Sequence, residues 1–162
     1  MLRGATESDL PIIALGMVRL QQLHVDAFPA IYKPFSESDA VSYLAGLLSQ
    51  SSINVRIAVH AEQIAGHTIL AVESVPATMF KHSQRYGHVT QMEVDPKFQR
   101  LGLGSLLLAD IDAIAARLDL NHILLDVWAF NESAQAFFSE FGYNKFGTKM
   151  VRHIPPKRRI TM

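Results

Sequence analysis

The chain has 162 residues, 49% of them hydrophobic, with 15 basic side chains, 15 acidic ones and no cysteine. That length suits one domain with a continuous core, and zero net charge argues against any general attraction to nucleic acid or an anionic membrane. Without cysteine there are no disulfides, thiolate metal sites or covalent chemistry on sulfur, and no signal-peptide core or membrane-length apolar run is visible. The expectation is a soluble, cytoplasmic, metal-free protein.

Taken in chain order, a short apolar opening at Leu2 to Ala5 leads into TESDLPIIALGMVRLQQLH, Thr6 to His24. Thr6 or Ser8 can cap this helix, Pro11 suits its first turn, and Ile12, Ile13, Leu15, Met17 and Leu20 form its apolar stripe. Pro29 and Pro34 interrupt the pattern, and a second helix follows with Ser36 or Ser38 as N-cap. INVRIAVHA and IAGHTILAVES read as two strands of a hairpin turning at Glu62-Gln63, and RYGHVTQMEVD as a third strand closed by Pro96. A long helix is predicted from Gly102 to Leu118, then a buried strand in HILLDVWAF. An amphipathic helix in NESAQAFFSEFG is stopped by Gly142, and a last strand is predicted in NKFGTKMVRHI, Asn144 to Ile154.

Strands and helices mix throughout, with an antiparallel first half and a β-α-β crossover in the second. This predicts an α/β (α+β) three-layer domain over residues 1–154, its central mixed sheet mostly antiparallel and flanked by helices. Residues 155–162 form a basic tail in which Pro155-Pro156 precede Lys157-Arg158-Arg159.

The loop QRLGLG joins a strand to a helix N-terminus, where unpaired N–H groups and the helix dipole favour an anion. Gly102 and Gly104 let a phosphate approach the backbone, while Gln99 and Arg100 add side-chain donors. A dinucleotide fingerprint would need a third glycine where Leu107 stands, and the Gly-Lys-Ser/Thr of a P-loop is absent. By itself the pattern fits a tight packing turn as well as an anion site.

Two segments decide between them. V-D-P-x-x-Q-R-x-G-L-G followed by Ser105-Leu106-Leu107, and N-E-S-A-x-x-F-F-x-x-x-G-Y from Asn131, together resemble the GNAT superfamily of acyl-CoA-dependent N-acyltransferases. Element order and spacing resemble the family from about Leu2 to Ile154. The resemblance implies acetyl-CoA as co-substrate, its pyrophosphate on the backbone of Leu101, Gly102, Leu103, Gly104 and Ser105 beside Gln99 and Arg100. It also implies a V-shaped splay between the strands ending near Val94 and Trp128, with pantetheine paired to the edge of Met92 to Val94. Asn131 would contact the cofactor arm, cap its helix, or do both.

The acceptor amine must lose a proton before it attacks. His88 is the first candidate base: period-two alternation places it with Thr90, Met92 and Val94, and family members carry His or Glu six residues before the valine. Asp126, a charge within an apolar run, is the second, and Glu93, on the opposite face from Met92, the third. The family's general-acid tyrosine is replaced by Phe138, which leaves a catalytically silent acyl-CoA-binding module as the alternative to an N-acetyltransferase. The acceptor, a small-molecule amine or a protein N-terminus, is expected at LHVDAFPAIYKPFSESD. There Asp26, Glu37 and Asp39 attract charge, and Phe28, Tyr32 and Phe35 form an apolar wall. A homodimer is compatible with these features; nucleic-acid and membrane partners are not expected.

Overall fold

A computed structural model of the chain describes residues 1–152 and residue 154. The basic cluster at 157–159 lies outside the described residues. Strand β1 (Leu2–Gly4) leads through a 3-10 turn into helix α1 (Leu10–Ala27), and helix α2 (Glu37–Leu48) follows. The chain then runs through β2 (Ile53–His60), β3 (Gln63–Val75), β4 (Gln84–Val94), helix α3 (Leu103–Arg117), β5 (Ile123–Leu125) and helix α4 (Glu132–Glu140). The five strands form one sheet in the order β1-β2-β3-β4-β5. The first four pair antiparallel; β5 joins β4 in parallel, as the crossover through α3 requires.

Each face of the sheet buries its own apolar cluster. Leu10, Ile13, Met17 and Leu44 of α1 and α2 pack on Ile57 and Ile69, whereas Leu108, Ile111 and Ile114 of α3 pack on Leu70 and Val89. Successive residues Ile69 and Leu70 thus serve opposite layers, the alternation that makes a three-layer domain. Local chemistry sets the helix starts. Ser36 caps α2, accepting from the Asp39 N–H at 3.1 Å, while Asp39 accepts from the Ser36 N–H at 3.0 Å in a reciprocal box.

Three expectations need correction. The hairpin turns at Ala61-Glu62, both with positive φ (46° and 63°), so Gln63 already belongs to β3. The strand expected in HILLDVWAF is confined to Ile123–Leu125 and is only partly buried, because its pairing with β4 stops at Val89↔Leu125. Residues 144–152 form no strand despite their alternation: their backbone pairs with no strand among the described residues, and Phe146 and Met150 are exposed.

Candidate active site at the splay of the fourth and fifth strands

The cleft begins where pairing ends. β4 continues past Val89 to Val94, paired on one side with β3 through Val94↔Gly66 and open on the β5 side. A strand edge left without a neighbour presents N–H and C=O groups to any extended ligand. Met92 and Val94 lie on this edge, and the Val94 carbonyl accepts from Gln99 Nε2 at 3.2 Å. That bond turns Gln99 back toward the strand end, so this side chain braces the loop instead of facing outward.

At the head of α3, Arg100 and Gly102 both take positive φ (63° and 77°), which folds the loop so that the helix opens immediately after it. Gly102 is the N-cap and offers no side chain, and the first intrahelical bond to it comes from the Leu106 N–H. The N–H groups of the intervening turn are the orphans of a helix start, beside the exposed Arg100. A Cβ on Gly102 would meet nothing within 4 Å, so its glycine is required by backbone conformation. Gly104 differs: a Cβ there would lie 3.0 Å from the Phe137 ring, so it is also a packing residue under α4. Leu101, Leu103 and Ser105 supply the backbone around the two glycines.

Asn131 caps α4, its Oδ1 accepting from the Ala134 N–H at 3.2 Å, and its Nδ2 has no partner among the described residues. Phe138 packs with Phe137 and Tyr143, at ring separations of 5.4 and 5.7 Å, in the cluster on the α3 face. The Tyr143 hydroxyl there is buried without a hydrogen-bond partner, and burial pushes that phenol up to about 12.

The inner end of the splay carries the ionisable groups. The register between β3 and β4 steps from Ile69↔Gln91 to Leu70↔Val89, so Thr90 is one extra residue on β4. This bulge reverses the alternation. His88 therefore shares the α1-facing side with Gln91 and Glu93, not the side of Met92 and Val94 that strict period two predicts. His88 and Asp126, expected as rivals, are brought together: His88 Nε2 lies 3.3 Å from Asp126 Oδ2. The other ring nitrogen, Nδ1, is 3.4 Å from Glu73 Oε1. Glu73 in turn accepts from the Tyr86 hydroxyl at 2.6 Å, a bond that raises the phenol above its ordinary value. Side-chain exposure is 29% for His88 and 76% for Asp126, so the pair opens to solvent through Asp126.

Glu93 is otherwise engaged. Its Oε1 accepts from Arg19 Nη2 at 3.0 Å, and burial pushes its carboxyl up. His67 is 1% exposed nearby, and burial holds its ring down at about 4. A separate cleft of about 440 Å³ is bordered by Arg3, Asp9, Arg19, Glu93 and Asp95, but not by His88, Asp126 or the Arg100–Gly102 turn. Within it Arg3 pairs with Asp9 and Arg19 with both Glu93 and Asp95, while Glu62 and Lys97 also line it.

The expected acceptor residues separate. Tyr32 and Phe28 pack on Trp128, with ring centroids 5.4 and 5.5 Å apart, and His24 and Phe130 join the same cluster. Burial lowers the His24 ring from its ordinary value. Phe35 instead packs against the α1-α2 core, Asp26 accepts from Gln22 within α1, and Asp39 is consumed by its cap. Gln135 holds the segment after β5 in place, donating to the carbonyls of Trp128 and Ala129 at 3.1 and 3.0 Å. Glu73, Tyr86, His24 and Trp128 escape sequence reasoning because a strand register and a loop path, not a motif, bring them here.

The sequence matches the model of the acetyltransferase (GNAT) family over residues 17–143. No functionally curated protein matches it significantly. Among solved structures, the BH1408 protein of Bacillus halodurans, as a tetramutant, is similar with a TM-score of 0.90 at 20% identity, covering 95% of this chain and 99% of its own. An acetyltransferase from Trypanosoma brucei is similar at 0.69 and 20% identity, covering 95% and 99%. The aminoglycoside 6'-N-acetyltransferase AAC(6')-Ig from Acinetobacter haemolyticus is similar at 0.69 and 15% identity, covering 97% and 98%. Among the described residues no group of metal-ligating side chains is clustered, and no helix is long and apolar enough to cross a membrane. With the five-stranded sheet, its splay and the glycine turn in place, the match shows that this chain belongs to the GNAT acetyltransferase family.

Proposed function

We propose that the protein transfers an acetyl group from acetyl-CoA to a primary amine, by direct attack with both substrates bound. One juxtaposition carries this reading. An unpaired strand edge leads from the glycine turn at the head of α3 to the His88–Asp126 pair, so a donor seated on the backbone would end beside a base. Pantetheine pairs with the Met92–Val94 edge, and an N–H there holds the oxyanion as the amine attacks the thioester carbon. His88 takes the ammonium proton beforehand. Sulfur leaves as a thiolate, aided by its low basicity, since Phe138 supplies no hydroxyl.

The acceptor enters from the α1 side, its charge drawn by Asp126 and its body lying against Trp128, Tyr32 and Phe28. A small ring-bearing amine suits such a wall, and a protein N-terminus is the competitor. Thiol release should be measured with tyramine, spermidine, an aminoglycoside and short peptides. Intersecting initial-rate lines with at least one amine are expected; parallel lines with an isolable acetyl-enzyme would overturn direct transfer. The lack of a hydroxyl on Phe138 itself favours the second reading, a silent acyl-CoA-binding module. Tight acetyl-CoA binding with no turnover across the panel would establish it.

A further inference from the structure

Glu73, Tyr86, His88 and Asp126 form a row that runs from β3 across β4 to the segment just after β5. β3 and β4 pair Glu73↔Tyr86 and Ala71↔His88, and β4 and β5 pair His88↔Leu124. Glu73, Tyr86 and His88 therefore share one face by period-two alternation, and Asp126, two residues beyond Leu124, continues the row. The imidazole sits between two carboxylates, 3.4 Å from Glu73 and 3.3 Å from Asp126. A neutral imidazole has one N–H, so it can donate to only one of them.

The two carboxylates are unequal. Glu73 is tethered, because Oε2 accepts the Tyr86 hydroxyl at 2.6 Å and leaves Oε1 directed at Nδ1. Tyr86 is itself stacked on His122, with centroids 5.1 Å apart and planes 8° off parallel, which restrains the phenol. Asp126 is 76% exposed and makes no hydrogen bond besides that to His88 among the described residues, so nothing else orients it. We infer that Glu73, tethered by Tyr86, is a positioning residue that holds the His88 proton on Nδ1 and so leaves Nε2 free to take the acceptor's proton. The inference rests on the base assignment proposed above.

Protons and electrons then balance. The ammonium gives one proton to Nε2, and the imidazolium so formed is held between the two carboxylates. The freed nitrogen pair attacks the thioester carbon, the C–N bond forms and the C–S bond breaks. A second nitrogen proton ends on the thiolate. The Nε2 proton leaves through Asp126, the solvent-facing member of the row. The titratable groups facing the ring are Glu73 from β3 and Asp126 from the segment after β5, with Tyr86 bonded to Glu73 and His122 stacked on Tyr86.

The test joins spectroscopy to kinetics. In the full chain at alkaline pH, long-range ¹⁵N–¹H correlation should show His88 with its proton on Nδ1. Glu73→Gln should move it largely to Nε2, and Tyr86→Phe should give a mixture. With the fastest amine of the panel, Glu73→Gln should lower kcat about 10-fold with the KM for acetyl-CoA unchanged, and Glu73→Asp should recover part of the loss. The proposal is overturned if Glu73→Gln leaves the tautomer on Nδ1, or if the tautomer moves and kcat does not while His88→Gln is slow. Full activity in His88→Gln would remove the base assignment and this role with it. The tautomer shift would still appear in that case, so the two failures are distinguishable.

Discussion

The two walls of the splay are made of different material. In the function proposed above, the donor wall is backbone: an unpaired stretch of β4, a loop with two positive-φ residues and the first turn of α3. The acceptor wall is side chain: His88, Asp126 and Glu73 in a row, with Trp128, Tyr32 and Phe28 beside them. Backbone groups present the same hydrogen bonds whatever residue carries them, and they constrain sequence only where a side chain must be missing. A side-chain wall can be rebuilt residue by residue without disturbing the cofactor seat.

The largest separation of the two walls should come from His88→Ala. A positioned general base contributes ~10²–10⁴-fold, so kcat/KM should fall roughly 10²-fold or more while calorimetric affinity for acetyl-CoA stays unchanged. Loss of acetyl-CoA affinity would show that the walls are not independent.

Acid should act next beneath α1, on the same side of the sheet, through buried His67. Its ring is held at about 4 against an ordinary value near 6.5, so the folded protein stays neutral there while the unfolded chain takes up a proton. Stability is then complete above about pH 6.5 and is lost progressively as pH falls toward 4, by roughly 3 kcal/mol at most. Denaturant melts between those pH values should show this slope, and His67→Gln should flatten it. An equal slope in the variant would assign the acid sensitivity elsewhere.

On the donor wall, Gly102→Val forces a β-branched residue into φ 77° with open space around it. The acetyl-CoA Kd should rise at least about 10-fold with only a modest loss of stability. Gly104→Val should instead cost folding as well, because its Cβ would press on the Phe137 ring at 3.0 Å. Melting temperatures that fall equally in the two variants would contradict that division. Trp128→Ala is the mirror experiment. It should raise the acceptor KM about 10-fold, leave the acetyl-CoA Kd alone and hardly move the rate at saturating amine.

The same division explains what the sequence discloses. The glycine turn is readable because Gly102 sits at φ 77° and a Cβ on Gly104 would lie 3.0 Å from the Phe137 ring, two positions that favour glycine. Element order followed from periodicity. The face of His88 did not, since one bulged residue reverses every side chain before it. A trace was nonetheless present: Val89 and Met92, both packed on the α3 side, stand three apart where unbroken alternation would place them two or four apart. Glu73 reaches His88 through the register of a hairpin whose connection spans 76–83, and no rule of turn chemistry fixes that register in advance. The alternation of residues 144–152 misled for a related reason, since a strand pattern needs an edge to pair with.

The finest comparison concerns Phe138, at the proposed sulfur end of the cofactor. Phe138 lies in the apolar cluster beside Phe137 and Tyr143, so Phe138→Tyr adds one hydroxyl to a packed aromatic site. If that hydroxyl reaches the open side of the cluster it can protonate the departing thiolate. If it stays buried it joins the unpartnered Tyr143 hydroxyl and costs stability. The thiol is already a fair leaving group, with an ordinary value near 8.5 by analogy with cysteine, so the gain is bounded. We expect kcat to rise no more than about 3-fold, well below the full value of general acid catalysis, with a slightly lower melting temperature. A larger rise would mean that thiolate departure limits turnover. A fall in kcat at unchanged stability would mean that the apolar surface of Phe138 itself shapes the thioester's seat. Either result would move the boundary between the two walls, adding the Phe138 side chain to the backbone groups of the donor side.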